Sequence, residues 1–282
     1  MANIFLQPFQ FEFFRNGILV AVIVGGLCGL IGVYIVLRGM SYIGHGLSHA
    51  IFGGAVVSFI MSWNFYLGAG LWGFVAAVLI NQTVRRTKIN ADAAIGVITT
   101  ASFAVGVALI SRYRRFTQSF DAALFGNILG VTTQDLWVVS AVAALIAVAI
   151  FLIYKQLLFV TFDSEVARVY GVKTEWVDTF FALILASALI ASMQILGVTL
   201  IAAALVIPAI SARLLTDSFN RMVILSTLCG ASTGFVGMYL SFYIDIASGA
   251  SIVLLQASGF GLALIFSSLR KRASQRIVHT HL

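Results

Sequence analysis

The sequence predicts an all-α polytopic membrane protein, and three observations predict it. Hydrophobic residues make up 61% of the chain and charged residues 10%, which leaves too little polar surface to cover a soluble globule. The apolar residues fall in long runs, close to the ~20 residues a helix needs to cross the hydrocarbon. Those runs do not alternate over segments of about ten residues, so a transmembrane β-barrel is excluded.

The runs lie near 17–37, 47–62, 67–84, 92–111, 134–154, 178–196, 199–212, 222–243 and 251–269. Eight to nine crossings are therefore expected. The open point is Phe180 to Ala212, where Gly197 interrupts an apolar stretch too long for one untilted helix. Either two spans or a span followed by a half-helix satisfies it. Ahead of the first span, Phe5, Phe9, Phe11, Phe13 and Phe14 with Glu12 and Arg15 read as an interfacial anchor over residues 1–16. That segment has neither a basic n-region nor a small-residue cleavage site, so no cleavable signal peptide is expected.

Lysine and arginine set the orientation, because they accumulate on the cytoplasmic side. With the N-terminus outside and nine crossings, the inner segments hold Arg38, Arg85, Arg86, Lys88, Lys155, Arg168, Lys173, Arg213, Arg221, Arg270, Lys271, Arg272 and Arg276. The outer segments hold Arg15, Arg112, Arg114 and Arg115. Thirteen against four supports this topology, although the Arg112–Arg115 cluster runs against it and has no account in the sequence. A formal charge of +7 then suits anionic headgroups at the inner face rather than nucleic acid. Residues 270–282 form a basic tail, whose His279 and His281 read as exposed.

Within the bundle, Gly25, Gly26, Gly29 and Gly32 of the first span, and Gly230, Gly234 and Gly237 of the eighth, recur three or four apart. Such rows permit close helix approach, within one subunit or at a dimer seam. Pro208 removes a backbone donor and is expected to kink its span. Cys28 and Cys229 lie in apolar spans and read as packing residues.

The longest clearly internal polar interval runs from Thr161 to Asp178 and contains a capped short helix. Asp163 is placed as N-cap, Glu165 in the positive first turn and Gly171 just past the end. Val166, Val169 and Tyr170 share one face, ready either to dock into a partner's groove or to rest on the membrane as a linker.

The chemistry concentrates in Ser41 to Gly54, where His45 and His49 stand four residues apart on a membrane helix. Ionisable groups at that depth are costly and usually line a substrate path. Imidazoles at i and i+4 project from one face, close enough to hold one metal ion. Zinc, iron and manganese accept imidazole, whereas magnesium and calcium prefer oxygen alone. Two histidines leave a four-coordinate site incomplete. Water, other side chains or the same pair from a second subunit would close it. The alternatives are neutral imidazoles bonded to backbone or to hydroxyls such as Ser41 and Ser48, or a proton path. Asp92, Asp121, Asp135 and Asp245, near span ends, read as helix caps.

Catalytic motifs are missing. The sequence has no His-Glu-x-x-His, Cys-x-x-Cys or Gly-x-Ser-x-Gly, and no lysine follows a glycine, which excludes a phosphate-binding Walker A loop. The chain is expected to be no enzyme, and any nucleotide energy must come from another chain.

Taken together, these segments resemble the membrane permease subunit of the zinc, manganese and iron family of ATP-binding-cassette importers, over Gly17 to Leu269. Gly44-His-Gly-Leu-Ser-His-Ala50 is similar to that family's Gly-Asp-x-Leu-Ser-His-Ala, and Ile195 to Ala209 is the other specific piece. Asp92-Ala-Ala-Ile-Gly96, Leu124-Phe-Gly126 and Phe162-Asp-Ser-Glu165 support it. The resemblance implies a type II-like, homodimeric permease domain over 17–269 in a bacterial inner membrane. It implies cytoplasmic ATPase subunits that bind ATP, an extracytoplasmic solute-binding protein, a transported divalent metal and no stably bound cofactor. It makes 162–176 the coupling-helix region, with Phe162, Asp163, Glu165, Val166, Val169 and Tyr170 toward the ATPase. It places His45 and His49 on the metal path and Pro208 beside it.

One departure matters. His45 stands where the family pattern has aspartate, which removes a hard anionic ligand and should move preference from manganese toward zinc or ferrous iron. Three competing functions are a transporter acting without ATPase, an intramembrane metalloenzyme, which would need a third ligand and a general base, and a scaffold without substrate.

Overall fold

A computed structural model describes residues 6–87, 89–113, 126 and 128–279. Phe5, Lys88, Arg114, Arg115, Asp121, Leu124 and His281 lie outside them. The chain forms α1 (Glu12–Leu37), α2 (Ser41–Ile60), α3 (Phe65–Arg86), α4 (Ala91–Tyr113), α5 (Thr133–Leu152), α6 (Tyr154–Phe162), α7 (Ser164–Val169), α8 (Thr174–Leu215), α9 (Phe219–Ile244) and α10 (Ser248–His279). A 3₁₀ turn at Gln7–Gln10 precedes α1. Among the described residues, nine helical segments are long and apolar enough to cross a membrane, with α8 supplying two, Thr174–Met193 and Leu196–Leu215.

Helix ends are capped largely as their sequences promise, except that Asn90 rather than Asp92 caps α4. Asn90 caps α4 by accepting from the Ala93 N–H at 2.8 Å, with Asp92 in the first turn. Thr132 and Asp135 form a reciprocal capping box at α5. Asp245 takes the left-handed position that closes α9. At α7 the Asp163 carboxylate accepts from the Glu165 and Val166 amides. Gly171, at φ 82°, ends it in a Schellman arrangement, its N–H reaching Arg168 O and that of Val172 reaching Ala167 O, both at 3.0 Å.

The open point at Gly197 resolves as a reversal. If straight, the 42 residues of α8 would span about 63 Å. Instead both of its ends meet the same end of α1. Asp178 pairs with Arg38 at 3.0 Å, while Ala209 and Ala212 pack with Val33 and Met222. Gly197, at φ 74° and ψ 163°, is the residue inside α8 with non-helical dihedrals, a left-handed conformation that favours glycine. The break thus falls at Gly197 and not at Pro208, which lies buried within the second half.

The remaining contacts follow an up-and-down order. At one end, Phe14 packs on Tyr239 and Phe242, Asn16 bonds Thr133 and Tyr66 bonds Asp135. The aromatic segment ahead of the first span is therefore tied to the end of α9, and Phe14 is fully buried. At the other end lie Arg38, Arg85 and Asp178, with α6 and α7. Cys28 and Cys229 are free thiols.

Glycine governs the closest approach. A Cβ at Gly25 would strike the Gly230 carbonyl, one at Gly29 the Ser226 carbonyl, and one at Gly234 the Ala21 carbonyl. Gly25, Gly29, Gly230 and Gly234 therefore bind α1 to α9 inside one subunit, while Gly32 faces Leu205 of α8 and Gly237 faces Ile252 of α10; the Ser226 hydroxyl donates to Gly29 O at 2.6 Å. Gly26 differs, since its nearest atoms would be side-chain carbons at 3.7 Å. Gly230→Ala should therefore lower stability by about 1–3 kcal/mol through overpacking, while Gly26→Ala should change it by no more than about 0.5 kcal/mol. Thermal unfolding of the detergent-solubilised chain reads both, and equal shifts would contradict this packing.

Candidate functional site: an imidazole pair on α2

Helix α2 is held on several sides by small residues. Gly53 faces the Ser102 carbonyl of α4, and Gly106 of α4 in turn lies against the Gly53 Cα. A Cβ on Gly54 would meet Trp72 and, at 2.7 Å, the Gly68 carbonyl of α3. A Cβ on Gly44 would lie 3.0 Å from the Leu205 side chain of α8. The Ser48 hydroxyl lies 2.8 Å from its own helix's His45 carbonyl and 3.1 Å from Val198 O. That second contact fastens α2 to the reversal at Gly197.

What these contacts leave over is one face carrying His45 and His49, both half-buried. Their ring centroids are 4.6 Å apart, Tyr42 flanks His45 at 5.6 Å and Phe103 of α4 flanks His49 at 5.0 Å. The i, i+4 spacing thus delivers two imidazoles within reach of one ion. His49 Nδ1 is buried without a hydrogen-bond partner among the described residues. The Ser48 hydroxyl, which sequence offered as a partner for the imidazoles, is turned to backbone carbonyls instead. Among the described residues, no cluster of three or more His, Cys, Asp or Glu surrounds the pair. Among the described residues, the pair therefore offers two imidazole side chains with no third such group beside them.

Below the pair, at the basic end, sits a charge network that sequence reasoning missed. Asp178 accepts from Arg38 at 3.0 Å through one oxygen and from Arg85 at 2.7 Å through the other. Arg85 also reaches Glu175 at 3.0 Å. The Arg38 Nε–H donates to the Thr161 hydroxyl at 3.0 Å, and its guanidinium lies 4.6 Å from the Phe181 ring centre. Burial lowers the Arg38 pKa from its ordinary value, and the Asp178 carboxylate beside it acts in the opposite direction. Arg38, Arg85, Glu175, Asp178 and Phe181, with Arg168 and Asn81, border a cavity of about 490 Å³. The sequence carries no sign of an ion pair between residues 140 positions apart.

The segment read as a coupling helix is exposed. Only Ala167 of α7 is buried, while Phe162, Val166, Val169 and Tyr170 are 63%, 39%, 85% and 76% exposed. Asp163 and Glu165 are spent on capping and on the first turn.

The family model described as "ABC 3 transport family" matches residues 10–267. The chain belongs to the ABC 3 transport family, and it is the permease subunit of an ATP-binding-cassette transporter. It is 35% identical over 258 residues to the manganese transport system membrane protein MntC of Listeria monocytogenes, covering 92% of each chain. It is 33% identical over 267 residues to a probable iron transport system membrane protein of Haemophilus influenzae, covering 95% of this chain and 98% of that one. Among solved structures, PsaBC from Streptococcus pneumoniae in complex with Fab matches with a TM-score of 0.84 at 34% identity, covering 93% of this chain and 95% of that one. The resemblance to metal-importer permeases seen in the sequence therefore holds.

If His49 were kept for structure, replacing it would break a buried hydrogen bond and cost about 1–3 kcal/mol. Its unpaired Nδ1 predicts otherwise. His49→Leu should shift the metal-free unfolding free energy by no more than about 0.5 kcal/mol, measured by thermal unfolding in detergent, and a loss of 2 kcal/mol or more would make the imidazole structural.

Proposed function

We propose that this permease imports a divalent first-row transition metal into a bacterial cytoplasm by alternating access, driven by ATP hydrolysis in a separate cytoplasmic subunit. The observation that carries the proposal is the buried His49 Nδ1, unpartnered among the described residues, beside His45 on a helix otherwise occupied by packing. A polar atom at membrane depth without a partner is costly. A passing metal would satisfy it for as long as the ion stays.

In this account two copies meet so that their imidazole pairs approach one another across a two-fold axis, giving up to four nitrogen ligands. A site assembled from two weak halves suits transport, because an ion must leave as readily as it enters. Residues 17–269 form the permease domain, 1–16 an interfacial segment and 270–282 a cytoplasmic tail. An extracytoplasmic solute-binding protein delivers the ion at the end that holds Glu12 and Asp135. Residues 162–176 dock the ATPase, with Val169 and Tyr170 as apolar anchors and Phe162 and Val166 beside them. Pro208 lies in the helix that descends from Gly197, where it flexes beside the path.

Metal choice follows from ligand chemistry. The relatives' names include manganese and iron transport, which supports a divalent first-row cargo. Imidazole at His45 in place of a carboxylate favours zinc or ferrous iron over manganese.

The experiment is ATP-dependent uptake of zinc, manganese and ferrous iron into vesicles containing the chain, its ATPase and its binding protein. Uptake should fall by about tenfold or more in His49→Ala and His45→Ala with ATPase assembly intact, the loss expected when one of few ligands is removed. His45→Asp should retain uptake and shift the preference toward manganese. Normal transport by both alanine variants would remove the imidazoles from the path. Unchanged metal ratios in His45→Asp would sink the selectivity argument alone.

A further inference from the structure

Arg38 occupies a junction. It follows α1 as its C-cap, and the turn after it is closed by two bonds, Gly39 N–H to Val36 O at 3.2 Å and Met40 N–H to Ile35 O at 3.0 Å. Gly39, at φ 66°, permits that turn. Helix α2 begins at Ser41, so a displacement of Arg38 is delivered to the helix that carries His45 about one turn later. The link is short and stiff.

The side chain runs the other way, toward the coupling segment. Its Nε–H donates to the Thr161 hydroxyl in the last turn of α6, and Thr161 is itself fixed to Leu157 O. Two residues on, Asp163 caps α7. Nη1 holds Asp178 in the first half of α8, whose other carboxylate oxygen holds Arg85 of α3. One guanidinium thus joins the α1–α2 turn, the entry to α7 and the start of α8, with α3 one carboxylate away. Its side chain is 8% exposed. In some proteins a buried charge of this kind fixes one arrangement out of several.

The surroundings leave room for that arrangement to change. The cavity of about 490 Å³ is bordered by Arg38, Arg85, Asp178, Glu175 and also Arg168 of α7, while Nη2 of Arg38 has no hydrogen-bond partner among the described residues. A packed, fully satisfied core would resist movement here. A charged group with a spare donor beside open volume can exchange partners instead.

We propose that Arg38 is a positioning residue that carries displacement of α7 to the imidazole helix α2, and so links the ATPase cycle to opening of the metal site. The inference rests on the functional reading above. Arg38 touches no metal; it acts through Thr161 and Asp178.

The test uses the full complex in vesicles and reads three quantities: ATPase assembly, ATP hydrolysis, and metal accumulated per ATP hydrolysed. Arg38→Gln keeps a donor but loses the charge, and Thr161→Val removes the acceptor while leaving the ion pair intact. Both should assemble and hydrolyse ATP, with metal moved per ATP reduced about five- to tenfold in Arg38→Gln and about twofold or more in Thr161→Val. Arg38→Lys, which restores the charge opposite Asp178, should recover part of the loss. If Arg38→Gln fails to assemble, Thr161→Val alone decides. An unchanged ratio, or hydrolysis and uptake falling together in proportion, overturns the inference. If the parent complex moves no metal with ATP, the functional reading falls and takes the inference with it.

Discussion

Backbone-to-backbone approach through glycine is the contact on which the imidazole pair depends. Lipid tails are as apolar as leucine, so helices in a bilayer gain nothing by hiding apolar surface from each other, and close packing has to supply the attraction. Around α2 it does so toward α3 through Gly54 and Gly68, and toward α4 through Gly53 and Gly106. A helix fixed on those faces has one direction left for large polar side chains. His45 and His49 take it.

The reversal at Gly197 answers the same constraint in a different way. Backbone that departs from helix inside a membrane must be buried in protein or line a water-filled space. Here the Ser48 hydroxyl lies within hydrogen-bond distance of Val198 O, so the helix that presents the imidazoles also steadies the turn. A transport path needs places where the chain is not uniformly helical, because those places can rearrange at low cost. The residue next to His49 and the residue next to Gly197 are joined directly, which puts the imidazole helix and the reversal in one mechanical unit.

Much of this was legible in the sequence, because the features that carry it are local. Apolar runs of membrane length, the i, i+4 imidazoles, and the caps Asp163 and Gly171 around a six-residue helix are each written within a dozen residues. The interruption at Gly197 was visible as well, though its sense was not. Whether a run bends gently or folds back is decided by what both halves pack against, here Arg38 through Asp178 and Val33 through Ala212. Pro208 reads as a kink within its span, and the full reversal falls at Gly197, a glycine that can adopt positive φ. The pairing of Arg38 with Asp178 and the hold of Ser48 on Val198 join distant positions, and no periodicity announces them. In the sequence Arg38 counted only as one more charge on the inner side.

The account stands or falls on whether metal meets imidazole nitrogen. X-ray absorption at the zinc edge, recorded on the complete complex of permease, ATPase and binding protein trapped with metal in the membrane, measures the ligands directly. The account predicts nitrogen scatterers at about 2.0–2.1 Å with the outer-shell pattern of imidazole, lost when His45 and His49 are both replaced by alanine. A shell of oxygen alone, or an imidazole signal that survives the double replacement, would contradict it.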